Sequence, residues 1–95
     1  MGFDGVLVSD DLSMKALGGP IGQRAAKAVA AGCDLALHCN GDRAEMEQVA
    51  AAVGLLSSAA RRRLDRAETM RRAPEPLDRR AAEARLDALL AGATV

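Results

Sequence analysis

Gly2-Phe3-Asp4-Gly5-Val6-Leu7-Val8-Ser9-Asp10-Asp11-Leu12-Ser13-Met14 is the stretch that decides the fold. Val6, Leu7 and Val8 form an unbroken apolar run, β-branched at two of its three positions. Such a run suits a strand covered on both faces, as in a parallel sheet, better than a half-exposed hairpin strand. The strand is expected over Gly5 to Ser9, leading into two carboxylates and a loop from Asp11 to Gly19. Acids at the C-terminal tip of a buried strand are the arrangement of an α/β active site. In barrels of that class the chemistry sits at the C-terminal ends of the strands.

Working outward, Gly18-Gly19-Pro20 closes the loop, and Pro20 suits an early helix position because its missing N–H would be unpaired there anyway. A helix is expected over residues 21–31, with Ile21, Ala25, Ala28 and Val29 on one apolar stripe and Gly32 as its stop. Cys33 to His38, centred on Leu35-Ala36-Leu37, reads as a second buried strand. Strand, helix and strand together make a βαβ unit, parallel and with a right-handed crossover. Asn40-Gly41 signals a turn.

Asp42 to Val53 reads as a helix, with Asp42 and Glu45 as a capping box and Met46, Val49, Ala50 and Val53 as its stripe. Gly54 breaks it. A further helix from Leu55 to Arg72 puts Leu56, Ala60, Leu64 and Ala67 on one face. Its Arg61–Asp65 and Glu68–Arg72 pairs are worth about 0.3–0.5 kcal/mol each. Ala73-Pro74-Glu75-Pro76 is an extended linker. Asp78 then caps a last helix over 79–91, with Ala82, Leu86, Leu89 and Leu90 inward.

Ninety-five residues allow one small domain. The 13 basic and 13 acidic side chains cancel, so no global field favours nucleic acid or an anionic membrane. The balance conceals a split: residues 1–60 carry a net −3 and residues 61–95 a net +3. Arg61-Arg62-Arg63 and Arg71-Arg72 are diluted by acids and lack interleaved aromatics for base stacking, so a solvated helix face is expected rather than a nucleic-acid site. No apolar run approaches the length of a membrane span, and no signal peptide is visible. On one extended strand Cys33 and Cys39 would lie about 20 Å apart, too far for a disulfide. Free thiols without a leader favour the cytoplasm. No metal-ligand spacing and no cofactor motif is present; Gly18-Gly19-Pro20 lacks the Lys-Ser/Thr of a phosphate loop.

The thirteen residues from Gly2 to Met14 resemble the nucleophile segment of the family 3 glycoside hydrolases, and Ser9-Asp10-Asp11-Leu12-Ser13-Met14 resembles its bacterial β-N-acetylhexosaminidase branch. The similarity continues through Ala30 to Leu35 and Leu37-His38-Cys39-Asn40, and thins after about Val53. The resemblance implies an α/β fold made of the last two βα units of a (β/α)8 TIM barrel, residues 1–54, followed by a helical C-terminal tail, residues 55–95. A whole barrel needs about 250 residues. The chain is therefore expected to be the C-terminal part of a larger enzyme, with Met1 an internal methionine, a misplaced start or the start of a truncated gene.

By the same resemblance Asp10 is the catalytic nucleophile. The implied reaction removes terminal β-linked N-acetylglucosamine with retention, from a carbohydrate substrate such as a cell-wall muropeptide, without metal. Side-chain alternation supports one acid of the pair without choosing which, since on a strand Asp10 and Asp11 face opposite sides. The acid/base partner of a retaining glycosidase sits about 5 Å from the nucleophile, which a sequence neighbour does not satisfy. Asp11 is expected to cap a helix or loop, or to stand in solvent.

His38, the only histidine, is expected to be a partly buried or loop residue. The family's catalytic histidine belongs to a Lys-His-Phe-Pro-Gly-His-Gly loop that nothing here matches. The residues that hold the N-acetyl sugar also lie upstream of this segment in the family. The chain alone is thus expected to be inactive. A rival reading is a non-catalytic remnant or a small helical protein-interaction module using exposed Leu and Ala faces.

Overall fold

In the computed structural model, which describes residues 1–92, six elements follow one another. They are β1 (Val8–Asp11), α1 (Ile21–Ala30), β2 (Leu35–Leu37), α2 (Arg43–Val53), α3 (Ser58–Thr69) and α4 (Arg79–Leu90). The fold is α/β, and β1 and β2 pair in parallel as the βαβ reading expects.

Both strands differ from the expected spans, for reasons visible in their hydrogen bonds. Asp34 takes the Leu7 N–H with its side chain at 2.9 Å, so the regular ladder starts one residue later. At the other end Leu12 N–H reaches the Leu37 carbonyl at 2.8 Å, which draws Asp10 and Asp11 into the strand instead of the loop. β2 is shorter than Cys33 to His38. Cys33 N–H turns back to the Ala28 carbonyl and Cys39 N–H goes to the Asp11 side chain, so both ends leave the ladder.

The strands are not covered on both faces. Leu35 and Leu37 share one face by alternation, and Val8 joins it by pairing with Leu35. That face is open, with Val8 46% and Leu37 41% exposed. The opposite face carries Ala36 and packs under the helices. The core there is small: Leu12, Ile21, Ala25 and Val49, with Ala28, Ala36 and Val53 against it. Gly22 lets α1 approach α2 closely, since a Cβ there would stand 3.4 Å from the Gln48 carbonyl oxygen. The expected stripes are only partly inward. Val29 on α1 and Met46 and Ala50 on α2 stay exposed, because one helix layer over a two-stranded sheet buries only the nearest residues of each stripe.

Caps set the helix ends. Pro20 is the residue before the first helical turn of α1 rather than a member of it. Asp42 accepts the Glu45 N–H, half of the expected capping box; the Glu45 carboxylate does not return the bond but reaches His38 and Asn40. Ser57 accepts from Ala60 N–H, so α3 begins at Ser58 and not at Leu55. Of its expected stripe Ala60 is buried and Leu64 half-buried, whereas Leu56 and Ala67 are exposed. Arg61 pairs with Asp65 at 3.4 Å as expected. Because α3 ends at Thr69, Glu68 pairs with Arg71 at 3.0 Å instead of with Arg72.

Asp78 caps α4 by accepting the Ala81 N–H. The expected inward face of that helix is not inward: no residue of α4 is buried, and Leu86, Leu89 and Leu90 are exposed. The extended segment from Ala73 to Pro76 carries it away from the core. Among the described residues no helix is long and apolar enough to cross a membrane.

Candidate active site

The C-terminal ends of β1 and β2 bring together the residues singled out by the sequence. Val8 to Asp11 is three steps along β1, matched by the two steps from Leu35 to Leu37 on β2, so β1 carries one extra residue. This is a β-bulge, a device that re-aims side chains and is frequent beside active sites. Ser9 fills the gap: its hydroxyl accepts the Leu37 N–H at 2.9 Å and donates to the Asp10 carbonyl at 2.9 Å.

Past the bulge the two carboxylates have separate surroundings. Asp11 is half-buried and tied down. Its Oδ1 accepts from Ser13 N–H at 3.0 Å and Cys39 N–H at 3.2 Å, and its Oδ2 accepts from the Ser13 hydroxyl at 2.6 Å. These bonds, Ser13's first, hold its carboxyl below the usual carboxylate range. Asp11 is thus the loop cap that the sequence suggests, joining the loop after β1 to the loop after β2. Asp10 is exposed and, among the described residues, accepts only the N–H of its neighbour Asp11, at 2.8 Å. It borders an open cavity of about 550 Å³ together with Leu12, Met14, Leu17, Arg24 and Lys27. A carboxylate with free lone pairs at the edge of a cavity can attack an electrophile; one committed to three donors is poorly placed to do so.

His38 alternates with Leu37 and therefore turns toward the helices. Its side chain is only 6% exposed, and Nε2 lies 2.8 Å from a Glu45 carboxylate oxygen that also accepts from Asn40 Nδ2 at 2.6 Å. These two bonds lower the Glu45 pKa, His38 contributing most. Nδ1 of His38 is buried and has no hydrogen-bond partner among the described residues. His38 thus braces the loop after β2 against the start of α2, in keeping with its reading as a partly buried residue. Cys33 and Cys39 are both free thiols.

Two arrangements escaped the sequence reading. Arg24, on the first turn of α1, donates from Nε to the Gly19 carbonyl at 2.9 Å and from Nη1 to the Leu12 and Met14 carbonyls at 2.9 and 3.4 Å. A lone arginine on a helix carries no signal of such a clamp. At the opposite ends of the strands, Arg63 bonds Asp34 at 2.7 Å, while Arg66 bonds the side chain and carbonyl of Asp4. The arginine run is thus not wholly solvated. The signal was available: Arg63 stands three positions after the inward Ala60, on the same helix face.

Residues 1–72 match the glycosyl hydrolase family 3 N terminal domain. The chain is also similar to proteins named β-hexosaminidase. It is 55% identical over 42 residues to one from Methylobacillus flagellatus, covering 42% of this chain and 12% of that protein. It is 46% identical over 50 residues to one from Vibrio cholerae, covering 50% of this chain and 15% of the other. A protein from Pseudomonas aeruginosa is 47% identical over 66 residues, 67% of this chain and 20% of its own length. The chain thus spans a fifth or less of the length of these relatives. No solved structure matches it.

Proposed function

The chain belongs to glycosyl hydrolase family 3, and from that premise we propose that it supplies the nucleophile segment of a retaining β-N-acetylhexosaminidase, with Asp10 as the nucleophile. On this reading β1, α1, β2 and α2 are the last two βα units of a (β/α)8 barrel, the open face of the sheet looks into the barrel, and the substrate enters over the C-terminal strand ends. The observation that carries the reading is the division of labour between the two acids: Asp11 is spent on Ser13 and Cys39, and Asp10 is left free beside a cavity.

The chemistry follows the two-carboxylate scheme. Asp10 attacks the anomeric carbon while an acid about 5 Å away protonates the departing oxygen; the same group then takes a proton from the water that releases the sugar. His38 does not serve as that acid, since its Nε2 is bonded to Glu45 and its ring is buried. The acid belongs to residues outside these 95, so the isolated chain is expected to show no turnover. A terminal β-linked N-acetylglucosamine of a muropeptide is the substrate class we assign, and the two free thiols support a cytoplasmic setting.

The experiment replaces the matching segment of the Methylobacillus flagellatus relative with that of this chain and assays an aryl N-acetylglucosaminide. Turnover by the chimera, lost on Asp10→Asn but surviving Asp11→Asn in part, supports the reading. A chimera indifferent to Asp10→Asn overturns it.

A further inference from the structure

Three carbonyls of the loop between β1 and α1 converge on one side chain. Arg24 holds the Leu12 and Met14 carbonyls, directly after the acid pair, and the Gly19 carbonyl, directly before α1. One planar guanidinium therefore closes the loop at both ends, which a fork of fixed N–H donors can do and a single ammonium cannot. The start of the loop is also held by the Asp11 carboxylate, which takes the Ser13 N–H and hydroxyl, but beyond Ser13 the loop has little besides Arg24: Met14 N–H meets the Asp11 carbonyl at 3.3 Å and Leu17 N–H the Met14 carbonyl at 3.1 Å.

Leu12, Met14 and Leu17 form the apolar wall of the cavity that Asp10 borders. The loop's position therefore sets the shape of that wall and its distance from the Asp10 carboxylate.

We propose that Arg24 is a positioning residue for the nucleophile: by clamping Leu12, Met14 and Gly19 it fixes the wall of the Asp10 cavity. The role in catalysis rests on the reading of Asp10 given above; the clamp itself does not.

Arg24→Lys keeps the charge and most of the stem but loses the fork, and Arg24→Ala loses both. Amide hydrogen exchange on the whole chain reads the clamp without any assay of activity. Both variants are expected to raise exchange in residues 12–19 about tenfold while the Val49 amide in the core is unchanged. Millimolar guanidinium is expected to restore protection to Arg24→Ala only. In the chimera, Arg24→Lys is expected to lower kcat about 100-fold, the cost of a displacement near 1 Å, with KM little altered. Loop protection retained in Arg24→Lys overturns the proposal, as does a rise shared equally by loop and core, which would mean a merely structural arginine. If the unsubstituted chimera is inactive the Asp10 reading fails, and the exchange data still decide the clamp.

Discussion

Arg63 on α3 donates to Asp34 at 2.7 Å, and the other oxygen of Asp34 accepts the Leu7 N–H at 2.9 Å, so one carboxylate, directly before the second strand, joins the entry to the first strand to the third helix. The Leu7 bond is the chief cause, with Arg63 behind it, of a carboxyl pKa below the ordinary value. A carboxyl whose folded pKa lies below its unfolded value stabilises the fold above the unfolded value and ceases to do so as pH falls through the folded one. Asp11 and Glu45 are shifted the same way. Stability in urea is therefore expected to be flat near neutrality and to decline below about pH 5. Asp34→Asn is expected to lower the midpoint at pH 7 and to make the acid decline shallower. An unchanged acid slope in that variant would remove Asp34 from the account.

Asp10 and Asp11 make opposite predictions for stability. Asp10 accepts one bond from its own neighbour and is exposed, so Asp10→Asn is expected to leave the unfolding free energy within about 0.5 kcal/mol of the parent, as for other surface changes. Asp11→Ala frees Ser13 and Cys39 from the bonds that join the two loops and is expected to lower the midpoint by several degrees. Differential scanning calorimetry of the two variants decides it. An Asp10 variant as destabilised as the Asp11 one would show that both acids are structural.

The sequence announced the parallel βαβ unit because its signals are local: a β-branched run, an alanine stripe, and Gly32, whose φ of +116° suits a residue without a side chain. Asp42 and Asp78 were legible as caps for the same reason. The identity of the acid pair came from the residues, but its division into a free and a tethered carboxylate did not. That division depends on a bulge whose extra residue is defined only against β2, nearly 30 positions away. The expected burial of Val8 and of the α4 leucines went wrong for a different reason. Periodicity shows which face of an element is apolar, not whether another element is there to cover it.

Cys39 should be a slow nucleophile. Desolvation of the Cys39 sulfur and the nearby Asp11 carboxylate, with Asp10 behind it, push its thiol up from the ordinary value. The thiolate is the reactive form, so exposure alone does not make Cys39 fast. Alkylation by iodoacetamide at pH 7.5–8.5 is expected to be several-fold slower at Cys39 than for a free cysteine peptide, and to accelerate in Asp11→Asn. Peptide mapping of the modified chain gives both rates. Equal rates in the parent and the Asp11 variant would mean that the carboxylate has no hold on the thiol.

The last helix tests how far the structural unit extends. α4 follows two prolines, buries no residue, and lies beyond the 72 residues that match the family domain. Its hydrogen-bonded cap at Asp78 makes it a helix in its own right, but an isolated helix of 12 residues is marginal in water. Leu86, Leu89 and Leu90 are 54%, 46% and 77% exposed and crowd one end of it. Removing residues 73–95 is therefore expected to leave the unfolding free energy of the remainder in urea within about 0.5 kcal/mol, since no described residue of that segment is buried. The same truncation is expected to reduce concentration-dependent association in sedimentation velocity, because exposed apolar patches are what drive it. The open strand face with Val8 and Leu37 remains in the truncated chain as a second source of association. Leu86→Glu with Leu90→Glu separates the two. If it abolishes association, α4 is the contact and the helical-interaction reading gains its support. If association persists, the open face of the sheet is the sticky surface, as a barrel fragment requires.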